Sequence, residues 1–369
     1  MGNLALELLE LMSEKRASDL HIKVGRPPMF RTDGKLTAMA GNIITEEEAN
    51  ETAYNFMTPT QRERFANTNE MDLAYSPNGT TRYRINVFRQ KGTVELVIRA
   101  ILKNIPTLED LHLPTVLKKI ASEPRGLILL TGTVGSGKST TIASMIQYIN
   151  SKFPYHIITI EDPIEYLHTD QKSSISQREL GIDTEAYNVA IKYILRQDPD
   201  VIFVGEMRDY ETVAAALSAS ETGHLVLSTL HTIDAIQTID RLVDFFPAIQ
   251  QSQVRSQLSA VLTGIISMRL IEKANGTGRV PAVEVMVGTQ TIRTLIRENK
   301  SSQLKTVIQQ GASQYGMQTF DQSLADLYRK GLITLDKALA EASNPNDLKL
   351  ALSGIISSAD SARDQIENR

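Results

Sequence analysis

At 369 residues, with 41% hydrophobic and 22% charged content, the chain has an ordinary globular composition and length enough for two or three domains. A net charge of −4 and 5% aromatic content supply neither the basic-aromatic strip that tracks nucleic acid nor a positive face for a membrane surface. No apolar run approaches the roughly 18 residues of a membrane span, no signal-peptide pattern is evident, and the absence of cysteine excludes disulfides and any thiolate zinc site.

The chain opens with an amphipathic helix, because Leu4, Leu8 and Leu11 recur at helical spacing among Glu7, Glu10 and Glu14. Short apolar alternations at 20–24 and 29–31, with an Asp33-Gly34 turn, read as strands joined by turns. Thr45 followed by Glu46, Glu47 and Glu48 starts a helix with acids in its first turn, and Met57-Thr58-Pro59 starts another through Phe65. Two strands follow at 82–90 and 93–100; in the first, Tyr83, Ile85 and Val87 alternate with Arg82, Arg84 and Asn86. This is a small α+β domain over 1–102. Residues 103–114, with two prolines, read as a linker to a second domain over 115–369. Arg84 and Arg99 sit on adjacent strands of the first domain, where they could close over a phosphate.

In the second domain an apolar run at 127–131 leads into Gly132-Thr133-Val134-Gly135-Ser136-Gly137-Lys138-Ser139, with Thr140 beyond. This is G-x-x-x-x-G-K-[ST] in the strand–loop–helix setting the motif requires. Its glycines let backbone N–H groups turn inward around a phosphate at a helix N-terminus. Lys138 then reaches the β- and γ-phosphates and the Ser139 hydroxyl helps hold Mg²⁺. The motif predicts a nucleoside triphosphate as ligand, which the resemblance described below makes ATP, and a helix over 139–148.

Further buried strands are expected at 156–160, 201–204 and 225–229, in the alternating rhythm of a parallel sheet whose ligand lies beyond the strands' carboxyl ends. After the second strand comes Glu161-Asp162-Pro163-Ile164-Glu165; the Asp-Pro pair favours a turn and leaves Glu161, on the strand tip, as the catalytic candidate. Past the third strand, Glu206 stands where a P-loop ATPase keeps the acid that supports Mg²⁺, although Gly205 replaces the usual aspartate. His224 and His231 bracket the fourth strand about 20 Å apart, which puts only His231 at the phosphate end. Beyond, 254–270 reads as a helix, 275–278 as the turn of a strand pair that includes 279–287, and 289–329 as amphipathic helices broken near 311–316. The tail 357–369 is polar and expected to fray.

Five stretches together resemble the secretion ATPase superfamily: residues 17–21, the P-loop, Ile158 to Glu165, Asp200 to Asp209, and the histidine box Thr222-Gly223-His224 to His231-Thr232. Ile292-Arg293-Thr294-Leu295-Ile296-Arg297 is similar to the C-terminal motif of its pilus-retraction branch. The resemblance implies a PAS-like N-terminal domain, a RecA-like ATPase domain and a homo-hexameric ring. It makes Glu161 the general base, Glu206 the Walker-B acid, Arg84 and Arg99 the arginines that approach the γ-phosphate, and His224 and His231 the histidine box. It further implies a cytoplasmic motor at the inner membrane, working on a pilus platform protein, with a paralogous accessory ATPase as a further partner and no membrane insertion. Extension and type II secretion relatives carry a tetracysteine zinc module and a long N-terminal extension. A chain without cysteine, whose first hundred residues form one small domain, is expected to retract pili rather than extend them.

Overall fold

A computed structural model describes residues 3–353 apart from 16, 33, 78–81 and 102–103. The expected tail at 357–369, Asp33 of the Asp-Gly turn and the boundary at 102–103 therefore lie outside the described residues. The chain divides into two compact units, Met1–Asn104 with Glu165–Leu167, and Ile105–Ile164 with His168–Arg369.

In the first unit, helix α1 (Asn3–Glu14) precedes strands β1 (Asp19–Lys23), β2 (Met29–Thr32) and β3 (Lys35–Ala38). Helices α2 (Glu46–Phe56) and α3 (Pro59–Thr68) follow, each begun by a capping box, from Thr45 with Glu48 and from Thr58 with Gln61. Strands β4 (Glu70–Tyr75), β5 (Arg82–Gln90) and β6 (Thr93–Ile101) complete an antiparallel sheet in the order β3-β2-β1-β6-β5-β4. Alternation decides its faces: Tyr83, Ile85, Val87, Leu96 and Ile98 turn inward onto Leu8, Met12 and Phe65, while the residues between them face out. Strand β4 was not foreseen, because Glu70–Tyr75 mixes two acids into a short run.

The second unit begins with residues expected to be a linker, yet Leu108 and Leu113 are buried in its core. Helix α4 (Val116–Ala121) and strand β7 (Gly126–Thr131) lead to α5 (Lys138–Lys152); strands β8 (His156–Glu161) and β9 (Ser174–Glu179) and helix α6 (Tyr187–Ile194) come next. Then follow β10 (Val201–Val204), α7 (Tyr210–Glu221), β11 (Leu225–Leu230), α8 (Ala235–Asp244), α9 (Ala248–Val261), β12 (Leu262–Glu272) and β13 (Arg279–Val287). The sheet runs β13-β12-β7-β11-β10-β8-β9, parallel except for the β12–β13 hairpin. Its central strands are buried on both faces, which is why they read as unbroken apolar runs. Helices α4 and α5 cover one face and α6 to α9 the other.

The helix expected over 254–270 is a correction. Its spacing holds only to Val261; from Leu262 the chain pairs with β7 on one side and β13 on the other. Ile265, Ile266 and Met268 are apolar on successive positions because both faces of β12 are covered, a pattern that apolar spacing alone does not separate from a helix. At Gly264 an added Cβ would stand 3.1 Å from the Met286 carbonyl, so the hairpin partners approach closely there. The remainder is helical: α10 (Gln290–Arg297), α11 (Leu304–Gln310), α12 (Ala312–Tyr315) inside the expected break, α13 (Phe320–Arg329), α14 (Leu335–Glu341) and α15 (Pro345–Leu352).

Candidate nucleotide site

Strand β7 ends at Thr131 and the chain enters the loop at Gly132 with φ +144°, where an added Cβ would lie 2.5 Å from both the Met268 carbonyl and the Ser136 hydroxyl. Only glycine fits. The Ser136 Oγ inside this cradle is buried and has no hydrogen-bond partner in the protein, a vacancy of the kind a phosphate oxygen satisfies. Lys138, the first residue of α5, folds back so that its Nζ donates to the carbonyls of Gly132 at 2.6 Å and Thr133 at 3.0 Å. Burial pulls its pKa below the ordinary lysine value and the charge of Glu206 opposes that pull. Ser139 is exposed in the first turn of α5, with Thr140 beside it. The loop therefore fits a nucleotide's phosphates, with the ammonium already at its mouth.

Three neighbouring strand tips complete the arrangement. Beyond β10, Glu206 takes the Arg208 guanidinium on Oε2 at 2.7 Å and His231 Nε2 on Oε1 at 3.2 Å. His231 follows β11, the neighbour of β10, so topology brings the pair together. Gly205 has a local reason as well. A Cβ there would lie 2.8 Å from the Tyr187 hydroxyl and 3.1 Å from the Ile160 carbonyl, so an aspartate would crowd both and the Tyr187 ring would have to shift. Tyr187, which the sequence reading missed, opens α6 beside this cluster. Burial raises its pKa, and the carboxylates of Asp162, Glu206 and Glu161 add to the rise, so it stays a protonated donor. At the tip of β8, Glu161 is buried, and its Oε1 accepts from the Thr159 hydroxyl at 2.7 Å and the Gln177 amide at 3.0 Å.

His224 is not part of this site. It precedes β11, where its Nδ1 lies 3.0 Å from the Ala219 carbonyl and 3.2 Å from the Thr222 hydroxyl, at the end of the sheet where β7 begins. Six residues of β7 separate that end from Gly132, about 20 Å of extended chain. A cavity of about 500 Å³ opens on the outer side of the P-loop, walled by Ile233, Met268, Arg269, Leu270, Arg279 and Glu341. Those residues carry no motif, and only their placement around β12 and β13 reveals them. Arg84 and Arg99 belong to the first unit, where they are direct cross-strand partners on β5 and β6. Arg99 Nε donates to Asp19 at 2.8 Å, and Arg84 pairs with Asp72 at 3.6 Å. Among the described residues no three His, Asp or Glu side chains are placed to hold a metal by themselves, so a divalent ion here would rely on the Ser139 hydroxyl, Glu206 and the phosphates.

A parallel sheet with a P-loop after one strand and acids at the tips of its neighbours defines a RecA-like P-loop ATPase fold. The family model described as "Type II/IV secretion system protein" matches residues 3–340, and the chain belongs to that family. It is 45% identical over 341 residues to the Pseudomonas aeruginosa type IV pilus retraction ATPase PilT, covering 92% of this chain and 98% of that protein. It is 44% identical over 346 residues to the type IV pilus ATPase PilU of the same organism, covering 94% of this chain and 90% of that one. A crystal structure of the pilus retraction motor PilT with bound ADP superposes with a TM-score of 0.87 at 46% identity, covering 93% of this chain and 98% of that one.

Proposed function

We propose that the chain is an ATP-hydrolysing motor that drives retraction of type IV pili as a homo-hexameric ring on the cytoplasmic side of the inner membrane, acting on a pilus platform protein. The observation that carries the catalytic part is the meeting of Glu206 with His231, coupled to Lys138, at one end of the sheet. In-line attack on the γ-phosphorus builds charge on its oxygens, and the site's work is positioning and neutralisation. Lys138 leaves its loop carbonyls for the β- and γ-phosphates. His231, tied to Glu206, stands where it senses the γ-phosphate, and Glu161 takes the proton of the attacking water. Arg84 and Arg99 add positive charge at the γ-phosphate. Ser139 and Glu206 would hold Mg²⁺, which would supply neutralisation of phosphate charge. The cavity walled by Arg269, Leu270 and Arg279 receives the nucleoside, its volume being within the usual range for such a ligand.

Glu161→Gln should abolish turnover while nucleotide binding survives, because the P-loop is untouched; a loss of about 10²–10⁴ is what removal of a general base costs. Steady-state hydrolysis at the unaltered rate would take Glu161 out of that role. In cells, loss of this chain should leave surface pili that assemble but do not pull, and bald cells would sink the retraction assignment. The near-equal similarity to PilU supports a second reading, an accessory nucleotide-dependent partner of a retraction ATPase that hardly hydrolyses. Hydrolysis by the purified chain alone, lost with Lys138→Ala, decides for the motor; binding without hydrolysis decides for the accessory.

A further inference from the structure

Glu161 is held from the side of the sheet that carries no motif. Thr159 and Gln177 are register partners across the parallel pair β8–β9, and Glu161 lies two residues beyond Thr159 on the same face of its strand. Both side chains donate to one atom, Oε1 of Glu161, at 2.7 Å and 3.0 Å. The Gln177 amide has only one usable orientation. Its Oε1 accepts from the His168 backbone N–H at 2.9 Å, and a backbone N–H cannot accept. Its Nε2 must therefore face the carboxylate, and a flip would lose both bonds.

The chain of contacts continues to the P-loop helix. His168 Nδ1 lies 3.3 Å from the Gln147 Oε1 on α5. Burial depresses the His168 pKa to about 4, so the ring is neutral at physiological pH and donates from Nδ1 to that amide oxygen. Gln147, His168, Gln177 and Glu161 thus join the helix that begins at Lys138 to the carboxylate at the tip of β8. Nothing in the spacing of a polar edge strand announces this.

We propose that Thr159 and Gln177 are positioning residues for ATP hydrolysis, which fix the rotamer of Glu161 through its Oε1. The proposal rests on the reading of Glu161 as the water-activating base. Two donors on one carboxylate oxygen hold the group in a repeatable place, which is what a water-activating acid needs. Without the ties, the acid remains but is correctly placed only part of the time.

The test is steady-state ATP hydrolysis with Thr159→Val, Gln177→Leu and Thr159→Ser in the full chain, with binding of a fluorescent ATP analogue as the folding control. Val and Leu should lower kcat about 10- to 100-fold with KM and analogue affinity within about twofold, the cost expected of a misplaced group. Ser, which keeps the hydroxyl, should restore most of the rate. In a Glu161→Gln background neither substitution should lower the residual rate further, because both act through the same carboxylate. Unchanged or raised kcat in Val and Leu, with Glu161→Gln inactive, overturns the positioning role and leaves the base standing. A Ser variant as slow as Val overturns it too, since packing rather than the hydroxyl would then matter. An active Glu161→Gln removes the base reading itself.

Discussion

Two acids with almost the same solvent exposure, Asp19 in the first unit and the more deeply enclosed Glu284 in the second, are pushed in opposite directions. Asp19 is 5% exposed and Glu284 is 7% exposed. Burial pushes the Asp19 carboxyl up, but hydrogen bonds from Arg99 and Ser18 and the charges of Arg99 and Arg31 outweigh it and hold the pKa below the usual range. Glu284, on β13, accepts the backbone N–H of Ala235 at the start of α8, but that bond and the charges of Lys305 and Arg269 fall short of cancelling burial, which with the charge of Asp234 drives it to about 7. Partners as well as depth decide the ionisation of a buried acid. The antiparallel sheet supplies them by register, since Arg31, Asp19, Arg99 and Arg84 are opposite one another on four adjacent strands. The parallel sheet gathers its polar groups at its carboxyl end, and Glu284, level there with Ser267 and Thr131, meets a helix terminus instead of a close cation.

The largest effect is expected where topology alone builds the site. Lys138→Ala removes the cation at the loop's mouth, and both nucleotide affinity and turnover should fall, turnover by about 10³ or more given that phosphate clamping is the main catalytic term in such sites. A variant that binds and hydrolyses like the parent would show that the loop is not the phosphate site.

The charged row of the first unit offers the next effect and a way to separate two roles. If Arg84 and Arg99 act on the γ-phosphate, alanine at either should cut turnover, by up to about 10³ on the scale of an arginine finger. Their structural costs should differ. Arg84 and Asp72 form an exposed pair, so Arg84→Ala should shift stability by less than about 1 kcal/mol. Arg99→Ala removes the shortest ion pair of a buried carboxylate and should cost about 1–3 kcal/mol. Denaturant melts beside turnover assays read both, and equal stability losses would show that the register row does not partner Asp19 as described.

Much of this was legible in the sequence where one motif sits on one element. The P-loop, the Glu161 and Glu206 strand tips, His231 at the near end of β11 and the α+β character of the first unit follow from local pattern and strand direction. What escaped needed partners distant in sequence. Strand β12 looks helical until β7 and β13 flank it. Gln177 lies on a polar edge strand whose role appears only through its register with Thr159. Gly205 looked like a missing aspartate until the Tyr187 hydroxyl was seen to fill the space. His224 was grouped with the site by its motif, although strand direction already put it at the far end.

The last expected effect leaves turnover aside and concerns stability against pH, where Glu284 and His168 have opposite signs. Glu284 has a folded pKa of about 7 against an ordinary 4.5, so between those values the unfolded chain has released a proton that the folded chain still holds. Its contribution is complete below about pH 4.5 and is lost as pH rises towards 7. His168 has a folded pKa of about 4 against 6.5, so below 6.5 the unfolded chain takes up a proton the folded chain refuses. Stability from this group is complete above about pH 6.5 and is lost as pH falls towards 4. Each slope approaches about 1.4 kcal/mol per pH unit, and across 4.5 to 6.5 they oppose one another. Glu284→Gln should therefore expose the His168 slope, a stability that climbs with pH across that window relative to the parent. His168→Gln should expose the Glu284 slope, a stability that declines relative to the parent as pH rises from about 4 to 6.5. Urea melts of the three chains at half-unit steps would measure both. If the two variants track the parent in parallel at every pH, neither group is held as its surroundings imply, and the contrast between Glu284 and Asp19 loses its physical basis.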